Sequence, residues 1–237
     1  MKNKQECSFG KVLFILGIFF IVAIGAFYLG AMCYETAYGY GNDIEYEIKV
    51  QRATQAAIWT LTAVAAQDIP WAIQRDLGGK PDQVVALTEP MSSQHGFLTA
   101  NDVTPYNTGG LFYIKDDPLV IDFPAATEKV NMFGSIVNAW QVPIADVGAK
   151  GADRGEGGKY LILPPDYKGD IPKGYLIIQS DTNRVHYAFR PVATPLGTTE
   201  EAAQHSRKLK VYRLSQADNP PEMDFIDATG KDWFTQP

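Results

Sequence analysis

Residues Val12 to Tyr34 contain no Asp, Glu, Lys, Arg or His, and Leu13, Phe14, Leu16, Phe19, Phe20, Phe27 and Leu29 would cover every face of a helix drawn through them. A bilayer core of roughly 30 Å needs about 20 apolar helical residues, so the pattern predicts one transmembrane helix over residues 12–34. Beyond it Gly39, Gly41 and Asn42 break the helix, and Asn42 stands three residues before Glu45, as a capped helix start requires. Val50, Ala53, Ala57, Leu61 and Val64 then recur at spacings of three and four, which predicts a helix with one buried stripe running to about Gln67. Asp68-Ile69-Pro70 predicts a stop and a restart, because Pro suits a first helical turn, and Gly78-Gly79 marks the end. Residues 35–82 are thus expected to be a helical lead-in, a hairpin or kinked pair.

From Gln83 the apolar period changes to two. Short runs rich in Val, Ile, Leu, Tyr and Phe alternate with Gly, Pro, Asn and Asp, and predict strands at 110–114, 119–123, 131–137, 141–147, 160–163, 175–180, 185–190 and 210–214. Asp116-Asp117-Pro118 and Asp181-Thr182-Asn183 read as hairpin turns whose side chains bond their own backbone. Thr198-Thr199-Glu200-Glu201 is a capping box that opens one more helix. Strands of this length and spacing predict a mainly β fold, an antiparallel β-sandwich of immunoglobulin-like type over residues 83–214. Residues 215–237 follow it as an extended tail.

Charge sets the expected orientation. The chain carries 21 Lys+Arg against 27 Asp+Glu, net -6, but Lys2, Lys4, Lys11 and Glu6 give +2 before the apolar run and -8 remains after it. The positive-inside bias therefore puts the 1–11 stub in the cytoplasm and the bulk of the chain outside the inner membrane, in a periplasmic or extracellular setting. A cleaved signal usually has an apolar region of about 7 to 15 residues, shorter than this run. Cleavage at Ala37-Tyr38-Gly39, or lipid on Cys33, would export the same domain. The acidic balance of that domain argues against nucleic acid as its partner.

Thr104-Pro105-Tyr106, Gly158-Lys159-Tyr160-Leu161, the segment from Pro164 to Gly174, and Ile178-Gln179-Ser180-Asp181-Thr182-Asn183 resemble the domain-of-unknown-function family numbered 1254. The resemblance runs from about Thr54 to Leu214 and includes Asn138-Ala139-Trp140 and a strand ending in Arg190. It implies an exported β-sandwich with flanking helices, commonly fused to a second β-rich domain, family 1214. No such second domain follows here, so either a short variant or a partner chain that supplies the missing half is expected. The resemblance also implies acids where this chain has Val103 and Asn138, and a site built on them would have lost its charges. No reaction comes with it.

Motifs of chemistry are sparse. Gly148, Gly151, Gly155, Gly157, Gly158 and Lys159 suggest a phosphate loop, but Asp153 occupies the first Gly position and Tyr160 the Ser/Thr position, so the segment reads as a flexible hairpin with Lys150, Asp153, Arg154 and Glu156 in solvent. His95, His186 and His205 lack metal-ligand spacing, and no Gly-x-Ser-x-Gly elbow is present, so no metal, cofactor or covalent hydrolase is expected. The best remaining constellation is Asn101, Asp102, Thr104, Tyr106 and Asn107 around the rigid Pro105, joined by Asn138, Trp140 and Arg190 as recognition groups for a polar or anionic ligand. A binding or interaction module is the expected function. A periplasmic hydrolase using residues 101–107 with Arg190 is the alternative.

Overall fold

The computed structural model describes residues 17, 19–30, 32–33, 44–92 and 101–233. It divides into two compact units, Met1–Trp59 and Thr60–Pro237. In the first, residues 17, 19–30 and 32–33 are helical, with Phe19, Phe20, Phe27 and Leu29 exposed. Among the described residues no helix is long and apolar enough to cross a membrane, while residues 12–16, 18, 31 and 34 of the expected span lie outside them.

Helix α1 (Ile44–Leu77) is one element, not two, and holds Pro70 inside it. A proline there deprives the Ala66 carbonyl of its donor, at a cost of ~3 kcal/mol in an exposed helix. Here Pro70 is buried with Ala66, Ala72 and Ile73, and burial of that stretch offsets the lost bond. Gly78, at φ 69°, ends the helix, and the Gly79 N–H donates to the Ile73 carbonyl. The stripe expected to be buried is not: Val50, Leu61 and Val64 are exposed. Periodicity defines an apolar face but not whether an element of the same chain covers it.

The second unit is mainly β. Its strands are β1 (Val84–Ala86), β2 (Asn107–Thr108), β3 (Phe112–Tyr113), β4 (Leu119–Phe123), β5 (Val130–Asn138), β6 (Pro143–Val147), β7 (Gly158–Leu163), β8 (Leu176–Gln179), β9 (Arg184–Ala193), β10 (Lys210–Arg213) and β11 (Phe225–Asp227). One sheet has the order β11-β1-β2-β9-β5-β6, with β3 also on β9; the other is β10-β4-β7-β8. Helix α2 (Thr199–Ser206) starts at the expected capping box, where the Glu201 N–H donates to Thr198 Oγ1 and the Thr198 N–H to the Glu201 carboxylate.

Both sheets are mixed rather than wholly antiparallel, since β1 runs parallel to β11 and β7 to β8. Strand order and these two pairs differ from an immunoglobulin-like sandwich, whose sheets are antiparallel. The physical reason is the connections. The stretch between β7 and β8 is long enough to return the chain to the same end before pairing, as a parallel neighbour requires. Neither expected hairpin turn is one, because Asp116-Asp117-Pro118 and Asp181-Thr182-Asn183 each carry the chain from one sheet to the other. Residues 215–237, expected as an extended tail, contain β11 and the buried Trp233.

The core lies between the sheets. Met132, Ile136, Tyr187 and Phe189 from β5 and β9 join Leu119, Ile121, Phe123, Tyr160 and Ile162 from β4 and β7 in one cluster. The Tyr187 and Phe189 rings stack at 4.2 Å, and Phe123 meets Phe189 edge-on at 5.2 Å. On the opposite face of β1, Val85 packs with Leu87 just past the strand and with Ala72, Ile73, Ala228 and Trp233.

Candidate functional site

The sequence-selected residues fall in separate places. Asn101 Oδ1 accepts from the Val103 and Thr104 N–H groups at 2.8 and 3.2 Å, and its Nδ2 donates to Thr104 Oγ1 at 3.1 Å. This is a self-contained turn, with Asp102 exposed on it and Thr104 buried. The Tyr106 side chain packs against the cluster around Ile73 and Trp233. Asn107 is fully buried: its Nδ2 donates to the Ser206 carbonyl at 3.1 Å and its Oδ1 accepts from the Tyr187 hydroxyl at 3.1 Å. Burial raises the pKa of that hydroxyl well above its ordinary value.

Asn138 closes the β5–β6 turn. Its Oδ1 accepts from the Trp140 and Val142 N–H groups, and its Nδ2 donates to the Asp181 carboxylate at 2.7 Å. An acid at this position would confront Asp181, so the amide is the residue the local geometry requires. Trp140 is half-buried in the same turn.

Arg190 belongs elsewhere. It sits on β9 directly across from Phe133 of β5, five residues or about 17 Å along that strand from Asn138. Its guanidinium carbon lies 4.9 Å from the Phe133 ring centroid. Inward-facing Met132 and Ile136 alternate with outward Asn131, Phe133 and Ser135, so an aromatic ring stands on the outer face of the seven-stranded sheet. A groove of about 480 Å³ opens there, lined by Phe133, Ser135, Asp146, Lys150, Arg190 and Val192 among others. Ser135 Oγ donates to Asp146 Oδ1 at 2.7 Å. No hydrogen bond or ion pair engages the Arg190 guanidinium or the Lys150 ammonium among the described residues.

The glycine-rich segment, expected to be a flexible solvated hairpin, is an organised rim of this groove. Asp153 is buried: its Oδ1 accepts from the Gly148 N–H at 2.6 Å and from the Tyr160 hydroxyl at 2.5 Å, and its Oδ2 from the Gly157 N–H at 3.2 Å. Gly148 has φ 88°, and a Cβ there would lie 2.2 Å from the Met132 carbonyl oxygen, so the loop presses onto β5 only because the residue is glycine. Among the described residues no cluster of His, Cys, Asp or Glu could hold a metal ion.

The family model described as "Protein of unknown function (DUF1254)" matches residues 81–213, more than half of the chain. The chain belongs to this family. The matched stretch of the DUF1254 domain contains both sheets apart from β11, the groove and all eight sequence-selected residues. Among solved structures, the VPA0106 protein of Vibrio parahaemolyticus is similar in fold, with a TM-score of 0.50 at 15% identity over 71% of this chain. The DUF1254 chain spans 40% of that protein's chain. No curated protein matches it in sequence.

Proposed function

We propose that this DUF1254 chain is a membrane-tethered binding module, held outside the cytoplasm by residues 12–34, and that it binds a small ligand in the groove beside Arg190. The observation that carries the binding reading is the Arg190 guanidinium, held over the Phe133 ring with no acidic partner. A half-buried cation stacked in place without a counter-charge has donors to offer an incoming molecule. The groove volume also falls within the roughly 300 to 1,000 Å³ of small-molecule sites.

Binding is favoured over hydrolysis because the rival catalytic set is occupied elsewhere. Asn101 and Asn107 spend their side chains on the fold, and Arg190 stands on a different part of the sheet. The tether rests on the uncharged 12–34 run and the charge asymmetry around it.

Two measurements test this reading. In spheroplasts treated with external protease, a carboxy-terminal tag is lost if the domain is outside; its survival refutes the placement. For the groove, isotope-labelled full-length chain in nanodiscs is exposed to small organic acids, amines and alcohols. Shifts at the Gly134, Gly148 and Gly151 amides support the site, and the absence of shifts with all three classes removes it.

A further inference from the structure

We infer that the ligand of this groove is a small organic acid whose carboxylate is held by Arg190 and Lys150 while its apolar body lies along Phe133, Ala149 and Val192. The inference rests on the groove being the binding site and assigns the chemical class it takes. Two cations line the groove, Arg190 and Lys150, against one acid, Asp146. That acid already accepts from Ser135 Oγ, so the excess of one positive charge has no internal recipient. A monoanion matches this excess. A dianionic phosphate would bring a second negative charge against Asp146, and an ammonium would meet two like charges.

Geometry narrows the class further. The Arg190 guanidinium carbon stands over the Phe133 ring at 4.9 Å, and the planar guanidinium fork matches the two oxygens of a carboxylate. Lys150 is carried to the same groove by a loop that the Asp153 carboxylate ties down through the Gly148 and Gly157 N–H groups. The Ala152 N–H bonded to the Asp146 carbonyl, and the Gly151 N–H bonded to the Gly148 carbonyl at 2.7 Å, hold the rest of that turn. The Arg190 guanidinium and the backbone that carries Lys150 are therefore placed before a ligand arrives, which reduces the entropy lost on binding. Between them the exposed Phe133 ring, Ala149 and Val192 offer an apolar surface that a bare inorganic anion would leave unused.

The test uses the full-length chain in phosphatidylcholine nanodiscs, with empty nanodiscs as reference. The probes are 3-phenylpropionate, its neutral isostere 3-phenylpropanamide, and inorganic phosphate, followed through the Gly134, Gly148 and Gly151 amide resonances. The acid is expected to saturate, with the amide and phosphate each about tenfold weaker or more. Arg190→Gln and Lys150→Gln should each weaken the acid by about tenfold with the unfolding temperature unchanged. Lys150 is exposed, so its variant decides the matter if Arg190→Gln fails to fold. Equal affinity for acid and amide, tighter binding of phosphate, or full affinity in the Lys150→Gln chain overturns the assignment. If amines or alcohols move these resonances and acids do not, the groove stands as a site and the acid class falls. If nothing moves them, both fall.

Discussion

The Tyr160 hydroxyl donates to Asp153 Oδ1 at 2.5 Å, and the Asp153 backbone N–H donates back to the Tyr160 hydroxyl oxygen at 3.1 Å. This reciprocal pair joins a core side chain of β7 to the glycine-rich loop, so the loop that presents Lys150 is anchored in the space between the sheets. Asp153→Ala removes the acceptor for two loop N–H groups and a buried hydroxyl, and should destabilise the domain by about 3 kcal/mol in urea unfolding. Tyr160→Phe, which leaves Asp153 its backbone donors, should cost about 1 kcal/mol.

The same pair has a pH consequence. Burial, and then the bond to Asp153, raise the Tyr160 pKa well above that of a free phenol. The unfolded chain gives up this proton near pH ~10 while the folded chain keeps it, so the contribution is fully present below that pH and is lost as pH rises. Tyr160→Phe should make the alkaline fall in stability shallower. Tyr187, buried and shifted in the same direction, keeps it from vanishing.

Most strands were legible because β4, β5, β7 and β9 are long enough to display a period of two, and their expected positions differ from the observed ones by a few residues at most. Strands β1, β2 and β11 have two or three residues each, too few to alternate, and β1 and β11 find each other across about 140 positions of chain. Sheet membership was not legible from turns, since Asp181 and Asn183 dictate a local reversal and not which sheet receives the next strand. Of the groove, Arg190 was visible as a residue type suited to recognition. Phe133 could have been noticed as an aromatic at an outward position of β5. Lys150 could not, because its place depends on Asp153 reaching Tyr160, and a lysine among glycines otherwise reads as solvated.

Asn107 separates a structural role from a binding one. Both ends of its amide are used inside the protein, on the Ser206 carbonyl and the Tyr187 hydroxyl. Asn107→Ala leaves the Tyr187 hydroxyl buried without its acceptor, while the Ser206 carbonyl keeps the Leu209 N–H, and should cost about 2 kcal/mol in denaturant unfolding. At temperatures where the variant is folded, 3-phenylpropionate should move the Gly134 and Gly148 amides as it does in the parent chain. Lost binding in a folded variant would tie the 101–107 segment to the site after all.

Asn138→Asp probes the acid that the family resemblance implies at this position. The new carboxylate keeps the two N–H bonds from Trp140 and Val142 and replaces the 2.7 Å donation to Asp181 with a like-charge contact. Turn geometry is conserved and only the charge pair changes, so the variant should lose about 2 kcal/mol at pH 7 and regain most of it near pH ~4, where one carboxyl takes a proton. Thermal melts at the two pH values measure this. Equal losses at both would point to disturbed packing of the turn.

His186 contributes to the acid side of stability. It lies on β9 across from Val137, is 9% exposed, and neither ring nitrogen has a hydrogen-bond partner among the described residues. Burial drives its pKa down to about 4, opposed in part by the Tyr187 backbone. The unfolded chain binds this proton near pH ~6.5 and the folded chain does not, so the contribution is present above that value and falls by about 3 kcal/mol as pH drops toward 4. His186→Leu substitutes an apolar group for an unsatisfied one. It should raise stability at pH 7 by about 1 kcal/mol and flatten the dependence between pH ~6.5 and ~4, as followed by urea unfolding across that range. An unchanged acid limb in the leucine variant would mean that another group carries the dependence and that the folded protein admits the His186 proton at little cost.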